Sequence, residues 1–207
     1  MIIAIDGPAG AGKSTVARRL AERLGVRYLD TGAMYRAVTW LALREELELE
    51  DGEALGELAA EHPVELDEAG HVTIAGEDVT SAIRDPRIDR AVPVVAHHPQ
   101  VREVMRGRQR QLAAEADAVV EGRDIGTVVA PGADVKVYLT ADQGVRAQRR
   151  ISERPDIGAD ALATDLRLRD ESDAARMEPA EDAIFIDTSE LDVDGVVDLI
   201  EQLIHGV

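Results

Sequence analysis

The chain has 207 residues, contains no cysteine and carries a formal net charge of −18. This length allows one hydrophobic core with room for a small inserted subdomain. The lack of cysteine excludes disulfides and thiolate metal sites, and the negative charge disfavours nucleic acid and anionic membranes as partners. Because the sequence shows no signal-peptide pattern and no apolar run long enough to cross a bilayer, we expect a cytoplasmic protein.

A glycine-rich loop near the start of the chain carries the clearest chemistry. Residues 7–14 match the pattern G-x-x-x-x-G-K-[ST], with a short apolar run before them and apolar residues at helical spacing after them. In such a loop backbone N–H groups cradle phosphates, the lysine reaches the terminal phosphates and the serine hydroxyl can ligate Mg²⁺. We therefore predict a nucleoside triphosphate site at Gly7, Pro8, Ala9, Gly10, Ala11, Gly12, Lys13, Ser14 and Thr15.

The next segment offers a second place for an anion. Residues 26–30 predict a strand, and Thr31 and Gly32 open a predicted helix that runs to about residue 46. A hydroxyl, backbone amides and Arg36 thus meet at one helix start, where an anion can bind. Taken alone, the segment is explained equally well by an N-cap threonine beside a solvated arginine.

An insertion is predicted in the middle of the chain. Residues 47–62 predict an acidic helix, and residues 64–75 alternate around a turn in the manner of a β-hairpin. Because a hairpin interrupts the alternation of strands and helices, we expect residues 45–97 to be inserted into an α/β core. Further helices are predicted from Pro86 and over residues 99–114.

The second half returns to strands and helices. A predicted strand over residues 117–121 leads directly into Gly122, Arg123 and Asp124. Since ligands of open α/β sheets bind beyond the carboxyl ends of strands, this cluster is a candidate for contacts with substrate or Mg²⁺. Strands follow at 134–139 and 183–187, and helices at 142–154, 160–176 and 193–204. The arginine-rich pair of helices is equally consistent with a lid over phosphates and with a surface hairpin held by ion pairs.

Other motifs in the sequence distinguish between the functions that a glycine-rich phosphate loop can serve. A GTPase normally recognises guanine with an Asn-Lys-x-Asp motif, and this chain has no asparagine. It also lacks an obvious water-positioning glutamine, and ATPase motors and transporters are usually larger. A small-molecule kinase is therefore favoured over a nucleotide-dependent switch.

Three blocks of the sequence then resemble the bacterial cytidylate kinases: residues 6–15, residues 29–36 and residues 121–129. Shorter matches at residues 76–80, 101–103, 108–110 and 169–170 extend the similarity over almost the whole chain. This resemblance implies an α/β P-loop kinase fold with a five-stranded parallel sheet flanked by helices. Residues 1–207 would form one domain, with its core at 1–44, 98–150 and 177–207, a small β-containing subdomain that binds the monophosphate at about 45–97, and a helical lid at about 150–176.

The resemblance also implies an activity and site residues. The reaction would be ATP plus CMP or dCMP giving ADP plus CDP or dCDP, with Mg²⁺, in a monomer of pyrimidine nucleotide metabolism. Lys13 and Arg123 would be catalytic, Ser14 would ligate Mg²⁺, and Glu121 is a candidate to hold it through water. Substrate would be bound at its phosphate by Thr31, Arg36 and Arg123, at cytosine by Arg102 and Asp124, and at the sugar by Arg169 and Asp173 with Arg176 nearby. Pro93 stands where family members can carry a serine, which leaves cytosine recognition to Arg102 and Asp124.

Two alternatives stay open at this stage. One is a kinase for another nucleoside monophosphate, such as UMP or AMP. The other is a P-loop protein that binds nucleotide without catalysis. A panel of monophosphate acceptors distinguishes both from a cytidylate kinase.

Overall fold

The computed structural model describes residues 1–67, 69–153, 158, 162, 164, 166–167, 170 and 177–206. The chain divides into two compact units, Met1–Tyr28 with Asp117–Val207, and Leu29–Ala116. The second unit contains the whole of the predicted insertion and extends beyond it on both sides.

A parallel sheet organises the first unit. Its strands, within the described residues, are β1 (Ile2–Asp6), β2 (Arg27–Asp30), β6 (Ala118–Glu121), β7 (Val135–Thr140) and β8 (Ile184–Asp187), in the spatial order β2-β6-β1-β7-β8. β1 lies at the centre, with Ile3 opposite Val119 of β6 on one side and opposite Val135 of β7 on the other. The predicted sheet of five parallel strands is confirmed.

Helices cover this sheet, and the hydrophobic core lies between them and the strands. α1 (Lys13–Leu24) and the last helix, α7 (Val193–His205), pack against each other and against the strands, whereas α6 (Gln143–Glu153) follows β7. The apolar spacing of α1 buries Val16, Ala17, Leu20 and Ala21 against β1 and β6. One connection differs from the predicted alternation, because β6 is followed by a single π-helical turn, Ile125–Val129, rather than by an α-helix.

The second unit combines helices with a small antiparallel sheet. Its helices are α2 (Thr31–Arg44), α3 (Gly52–Glu61), α4 (Pro86–Val95) and α5 (Pro99–Glu115), and α2 packs on α4 while α3 packs on α5. β3 (Glu65–Leu66) and β4 (Val72–Ile74) form the predicted hairpin. β5 (Glu77–Asp78), too short to be predicted, adds a third strand to it, and a 3₁₀ turn follows at Ala82–Arg84.

Local signals explain where several helices begin. Pro86 and Pro99 stand at the first positions of α4 and α5, where the missing N–H of proline costs nothing. Asp30 caps α2, since its carboxylate accepts a hydrogen bond from the Ala33 N–H at 2.8 Å. Thr31 is therefore inside the helix, and the alternative that made it the cap is wrong. Across the described residues no helix has both the length and the apolar character needed to cross a membrane.

Candidate active site

The glycine loop lies between β1 and α1, as predicted. Gly7 has a φ of +145°, and a Cβ added there would lie 2.2 Å from the carbonyl oxygen of Leu139 in β7. Gly10 has a φ of +77°, and its Cβ would lie 2.9 Å from the Cβ of Arg146. Only glycine allows the backbone to come this close to the neighbouring strand and helix. The two glycines thus set the path of the loop.

The carbonyl groups of the loop accept hydrogen bonds from polar side chains, four of which lie outside the loop. Each carbonyl from Gly7 to Ala11 accepts a hydrogen bond, in chain order from Arg123 at 3.0 Å, Lys13 at 2.9 Å, Arg146 at 3.1 Å, Arg149 at 3.3 Å and the Thr188 hydroxyl at 3.1 Å. A trans peptide directs its N–H away from its C=O. Fixing the carbonyls therefore leaves the N–H groups of the loop on its opposite edge, beside the N-terminus of α1, an arrangement suited to binding an anion.

The arginines of α6 form part of this support. Arg146 is buried, donates to Ala9 and pairs with Asp170 at 2.8 Å. Arg149 donates to Gly10, to the Thr188 hydroxyl at 2.9 Å and to the Thr188 carbonyl at 2.6 Å. Arg146 and Arg149 both contact carbonyl groups of the glycine loop. The support that Arg146, Arg149 and Thr188 give to the loop was not predicted, since contacts to backbone carbonyls leave no signal in a sequence.

Arg123 and Asp124 lie between β6 and the π-helical turn. The Arg123 guanidinium donates to the carbonyl of Gly7 at 3.0 Å and lies 3.6 Å from the sulfur of Met177. The turn that follows is fixed by Asp6, whose two carboxylate oxygens accept from the N–H groups of Ile125 at 2.9 Å and Gly126 at 2.8 Å. Burial raises the pKa of the Asp6 carboxyl, and these two N–H donors oppose the rise.

Oxygen donors suited to Mg²⁺ are present near the loop. Ser14 is exposed in the first turn of α1, and the buried Glu121 carboxylate at the end of β6 accepts from the Tyr28 hydroxyl at 2.5 Å. A hydroxyl and a carboxylate are hard ligands of the kind that Mg²⁺ prefers, so the donor set fits the ion. Among the described residues no group of three or more histidine, cysteine or acidic side chains is arranged as a metal cage.

A cavity of about 540 Å³ adjoins the loop. Its lining comes from the loop and the start of α1, from α6, and from the segment after β8: Gly10, Gly12, Thr15, Val16, Val145, Gln148, Arg149, Ser152, Thr188, Leu191, Asp192, Val193 and Val196. Its volume is in the range of small-molecule sites, and its walls are apolar with a few polar groups. No sequence pattern indicated this cavity, because its walls come from three separate segments of the chain.

The other predicted substrate residues belong to the second unit. Thr31 is buried at the start of α2. Arg36, one turn later, pairs with the buried carboxylate of Asp89 at 2.5 Å and donates to the Ile83 carbonyl at 3.3 Å. Arg102 of α5 donates to the Ala96 carbonyl at 3.4 Å, and its guanidinium lies 5.9 Å from the centroid of the Tyr35 ring. The structure thus gives Arg36 and Arg102 defined partners and orientations within this unit.

The two predicted sugar contacts, Arg169 and Asp173, and the neighbouring Arg176 lie outside the described residues, as does most of the predicted lid. Of the lid segment, Arg167 is exposed and Asp170 pairs with Arg146. Pro93 lies within α4.

Comparison with known proteins identifies the family. Residues 3–206 match the model of the family described as cytidylate kinase. The chain belongs to the cytidylate kinase family. It is 46% identical to a cytidylate kinase of Exiguobacterium sp. (strain ATCC BAA-1283 / AT1b), with 99% of this chain and 96% of the relative covered. It is 48% identical to a cytidylate kinase of Rhodococcus jostii (strain RHA1), with 95% and 91% covered.

Solved structures agree on the fold. A shikimate kinase from Bacteroides thetaiotaomicron superposes with a TM-score of 0.54 at 17% identity, covering 99% of this chain and 98% of that one. An uncharacterised protein from Eubacterium ventriosum ATCC 27560 gives 0.53 at 16% identity, covering 100% and 99%. At these identities the likeness concerns the fold alone. The predicted P-loop kinase fold is confirmed.

Proposed function

We propose that this chain transfers the γ-phosphoryl group of ATP to CMP or dCMP, giving ADP and CDP or dCDP. Membership of the cytidylate kinase family makes it a phosphotransferase. The structural observation that carries the proposal is the 3.0 Å hydrogen bond from Arg123 to the Gly7 carbonyl. It brings a cation from the family-specific Gly-Arg-Asp block to the loop that binds triphosphate.

ATP would occupy the loop and the adjoining cavity. Its phosphates would contact the loop N–H groups and the Lys13 ammonium, which lies 2.9 Å from the Pro8 carbonyl. Its nucleoside would enter the cavity beside Arg149 and Thr188. The volume of this cavity suits a base and a ribose. Ser14, and Glu121 through water, would hold Mg²⁺, which when bound would neutralise charge on the phosphate oxygens.

CMP would be bound by a second set of residues. Thr31, Arg36 and Arg123 are proposed to hold its phosphate, and Arg102 and Asp124 its base, with Arg169, Asp173 and Arg176 at or near the sugar. Cytosine presents an amino donor beside ring acceptors, so one carboxylate and one arginine complement its edge. Uracil would place a carbonyl oxygen against the Asp124 carboxylate, at a cost of about 1–3 kcal/mol.

The chemistry needs positioning and charge rather than a covalent nucleophile. The acceptor is a phosphate oxygen of CMP, which is already ionised at neutral pH, so no general base is required. Lys13 and Arg123 would stabilise the negative charge that spreads over the transferring group. The braced loop contributes because its N–H groups are oriented before the substrate arrives.

We further propose that residues 1–207 act as one kinase domain, as a monomer in the cytoplasm. A mass of 22.3 kDa by light scattering would support the monomer, and twice that value would contradict it.

Initial rates of ADP formation with a panel of acceptors test the activity. Purified protein is supplied with ATP, Mg²⁺ and one of CMP, dCMP, UMP or AMP, with a control that has no acceptor. We expect CMP and dCMP to give the highest kcat/KM. A preference for UMP or AMP would assign another monophosphate kinase, and no ADP above the control would leave a nucleotide-binding protein without catalysis.

A further inference from the structure

Asp6 ends the central strand and stands directly before the phosphate loop. Its side chain is buried at 6% exposure, and its two oxygens accept separate hydrogen bonds from consecutive backbone N–H groups, Ile125 at 2.9 Å and Gly126 at 2.8 Å. A carboxylate that bridges two adjacent amides fixes both the position and the orientation of that peptide segment. The segment begins immediately after Asp124.

A second contact ties the same two stretches of chain in the opposite direction. The residue after Asp6 is Gly7, whose carbonyl accepts from Arg123, the residue before Asp124. Asp124 is therefore flanked by two anchored positions, with the Arg123 guanidinium on one side and the Ile125 and Gly126 amides on the other. Contacts with Asp6, the last residue of β1, and with Gly7, which follows it, therefore fix the backbone on both sides of Asp124.

The geometry leaves Asp6 few other roles. Both of its oxygens are engaged by backbone N–H donors, and the ionised acceptor phosphate removes the need for a base. The space is also tight, because a Cβ on Gly126 would lie 3.4 Å from Asp6 Oδ2 and 3.3 Å from Lys136 Cδ. A longer carboxylate would have to displace the turn.

We propose that Asp6 is a positioning residue for base selection, which acts by holding Asp124 at the place where it distinguishes cytosine from uracil. The inference rests on the proposed function, since it takes Asp124 as the group that contacts the base. It adds to that function a residue outside the substrate contacts that determines how well they discriminate.

The test is a double-mutant cycle with Asp6→Asn and Asp124→Asn. An amide at position 6 keeps one acceptor but turns an N–H₂ group toward a backbone N–H, which breaks the two-point contact without changing side-chain size. We expect Asp6→Asn to lower the ratio of kcat/KM for CMP over UMP by roughly tenfold, with the KM for ATP changed by less than about threefold. In the Asp124→Asn background, the same substitution should leave the ratio unchanged.

The outcomes separate this proposal from the proposed function. If the wild-type protein fails to use CMP, the proposed function falls and this inference with it. If the wild type prefers CMP but Asp6→Asn slows CMP and UMP equally, or lowers the ratio again in the Asp124→Asn background, only the role of Asp6 is overturned.

A measurement on the wild type covers the case in which the variant does not fold. Hydrogen exchange of the protein without nucleotide should show the Ile125 and Gly126 amides protected at the level of the neighbouring sheet, because both donate to a buried carboxylate. Exchange of these two amides at the rate of an open loop would overturn the proposal.

Discussion

The Arg123 guanidinium donates to the carbonyl oxygen of Gly7 across 3.0 Å, although 116 positions of sequence separate the two residues. Gly7 opens the loop that is expected to bind ATP, and Arg123 belongs to the block that is expected to bind CMP. The contact is made possible by β1 and β6, which are neighbours in the parallel sheet and end at the same edge. The loop expected to bind ATP and a residue proposed to bind CMP therefore lie at the same edge of the sheet.

Replacing Lys13 should remove catalysis and spare the fold. Lys13→Ala deletes an ammonium that is partly exposed and donates to the Pro8 carbonyl. We expect kcat to fall by at least about 100-fold, since the lost charge stabilises the transferring phosphoryl group. Steady-state kinetics with circular dichroism measures both effects, and Arg19→Ala, on the exposed face of the same helix, is the matched control. Near-normal turnover in Lys13→Ala would contradict the assignment.

Gly7 should tolerate no side chain. In Gly7→Ala the new methyl group would meet the Leu139 carbonyl at 2.2 Å, so the loop or β7 must move. We expect a loss of about 1–3 kcal/mol in the free energy of unfolding and a higher KM for ATP. Gly132→Ala is the control, because a Cβ there has no neighbour within 4 Å. Urea unfolding that gives equal stabilities for the two variants would show that the close approach is not required.

Most of the fold could be predicted from the sequence, because the signals are local. The loop follows a fixed spacing, the helix starts at Pro86 and Pro99 are marked by proline, and the core strands are short apolar runs. Where local signals were weak the prediction failed: β5 has only two residues, and the connection after β6 is a π-helical turn. The N-cap of α2 is Asp30 and not the adjacent Thr31, which the sequence allows equally well.

The residues that support the site could not be predicted, for a different reason. Asp6, Arg149 and Thr188 act on backbone N–H or carbonyl groups, and any residue type supplies these groups. No spacing rule therefore links Thr188 to Ala11, which lies 177 positions away. Only the order of the strands brings such partners together. The residues that line the cavity beside the loop could not be predicted either, because they too come from segments far apart in the sequence.

The hydroxyl of Thr188 should affect ATP binding as well as stability. It is buried, accepts from Arg149 at 2.9 Å and lies 3.1 Å from the Ala11 carbonyl. Thr188→Val takes the hydroxyl donor from the Ala11 carbonyl, whereas Arg149 keeps its bonds to the Gly10 and Thr188 carbonyls. We therefore expect a loss of about 1–3 kcal/mol and a raised KM for ATP with little change in the KM for CMP. Thr39→Val is matched, since Thr39 is also buried and donates to a carbonyl, that of Tyr35, but belongs to the second unit. A similar rise in the KM for ATP in both variants would contradict a specific role of Thr188 in supporting the loop.

The ion pair of Lys136 and Asp182 predicts a pH effect. Both Asp182 oxygens accept from the buried Lys136 ammonium, at 2.9 and 2.8 Å, and this lowers the pKa of the carboxyl from 3.8. A lowered folded-state pKa gives stability that is present above the unfolded value and lost as the pH falls through the folded value. The Tm of the wild type should therefore exceed that of Asp182→Asn at pH 7, and the difference should shrink below pH 3.8.

The control for this effect is Asp187→Asn, because Asp187 accepts from the neutral groups of Ser189. The variant should also lose stability at neutral pH, but without leaving a buried ammonium unpaired, so its loss should be smaller. A Tm difference for Asp182→Asn that stays constant as the pH is lowered from neutral to well below 3.8 would rule out the ion pair as its cause.

Direct passage of the γ-phosphoryl group from ATP to CMP is the step on which the proposed function depends, and that group can be followed through the reaction. ATP labelled at the γ-phosphorus is incubated with the protein, Mg²⁺ and CMP, and the products are separated. We predict that the label appears in the β-phosphate of CDP in step with ADP formation. Label recovered as inorganic phosphate, or retained in ATP, would show that the protein does not catalyse this transfer.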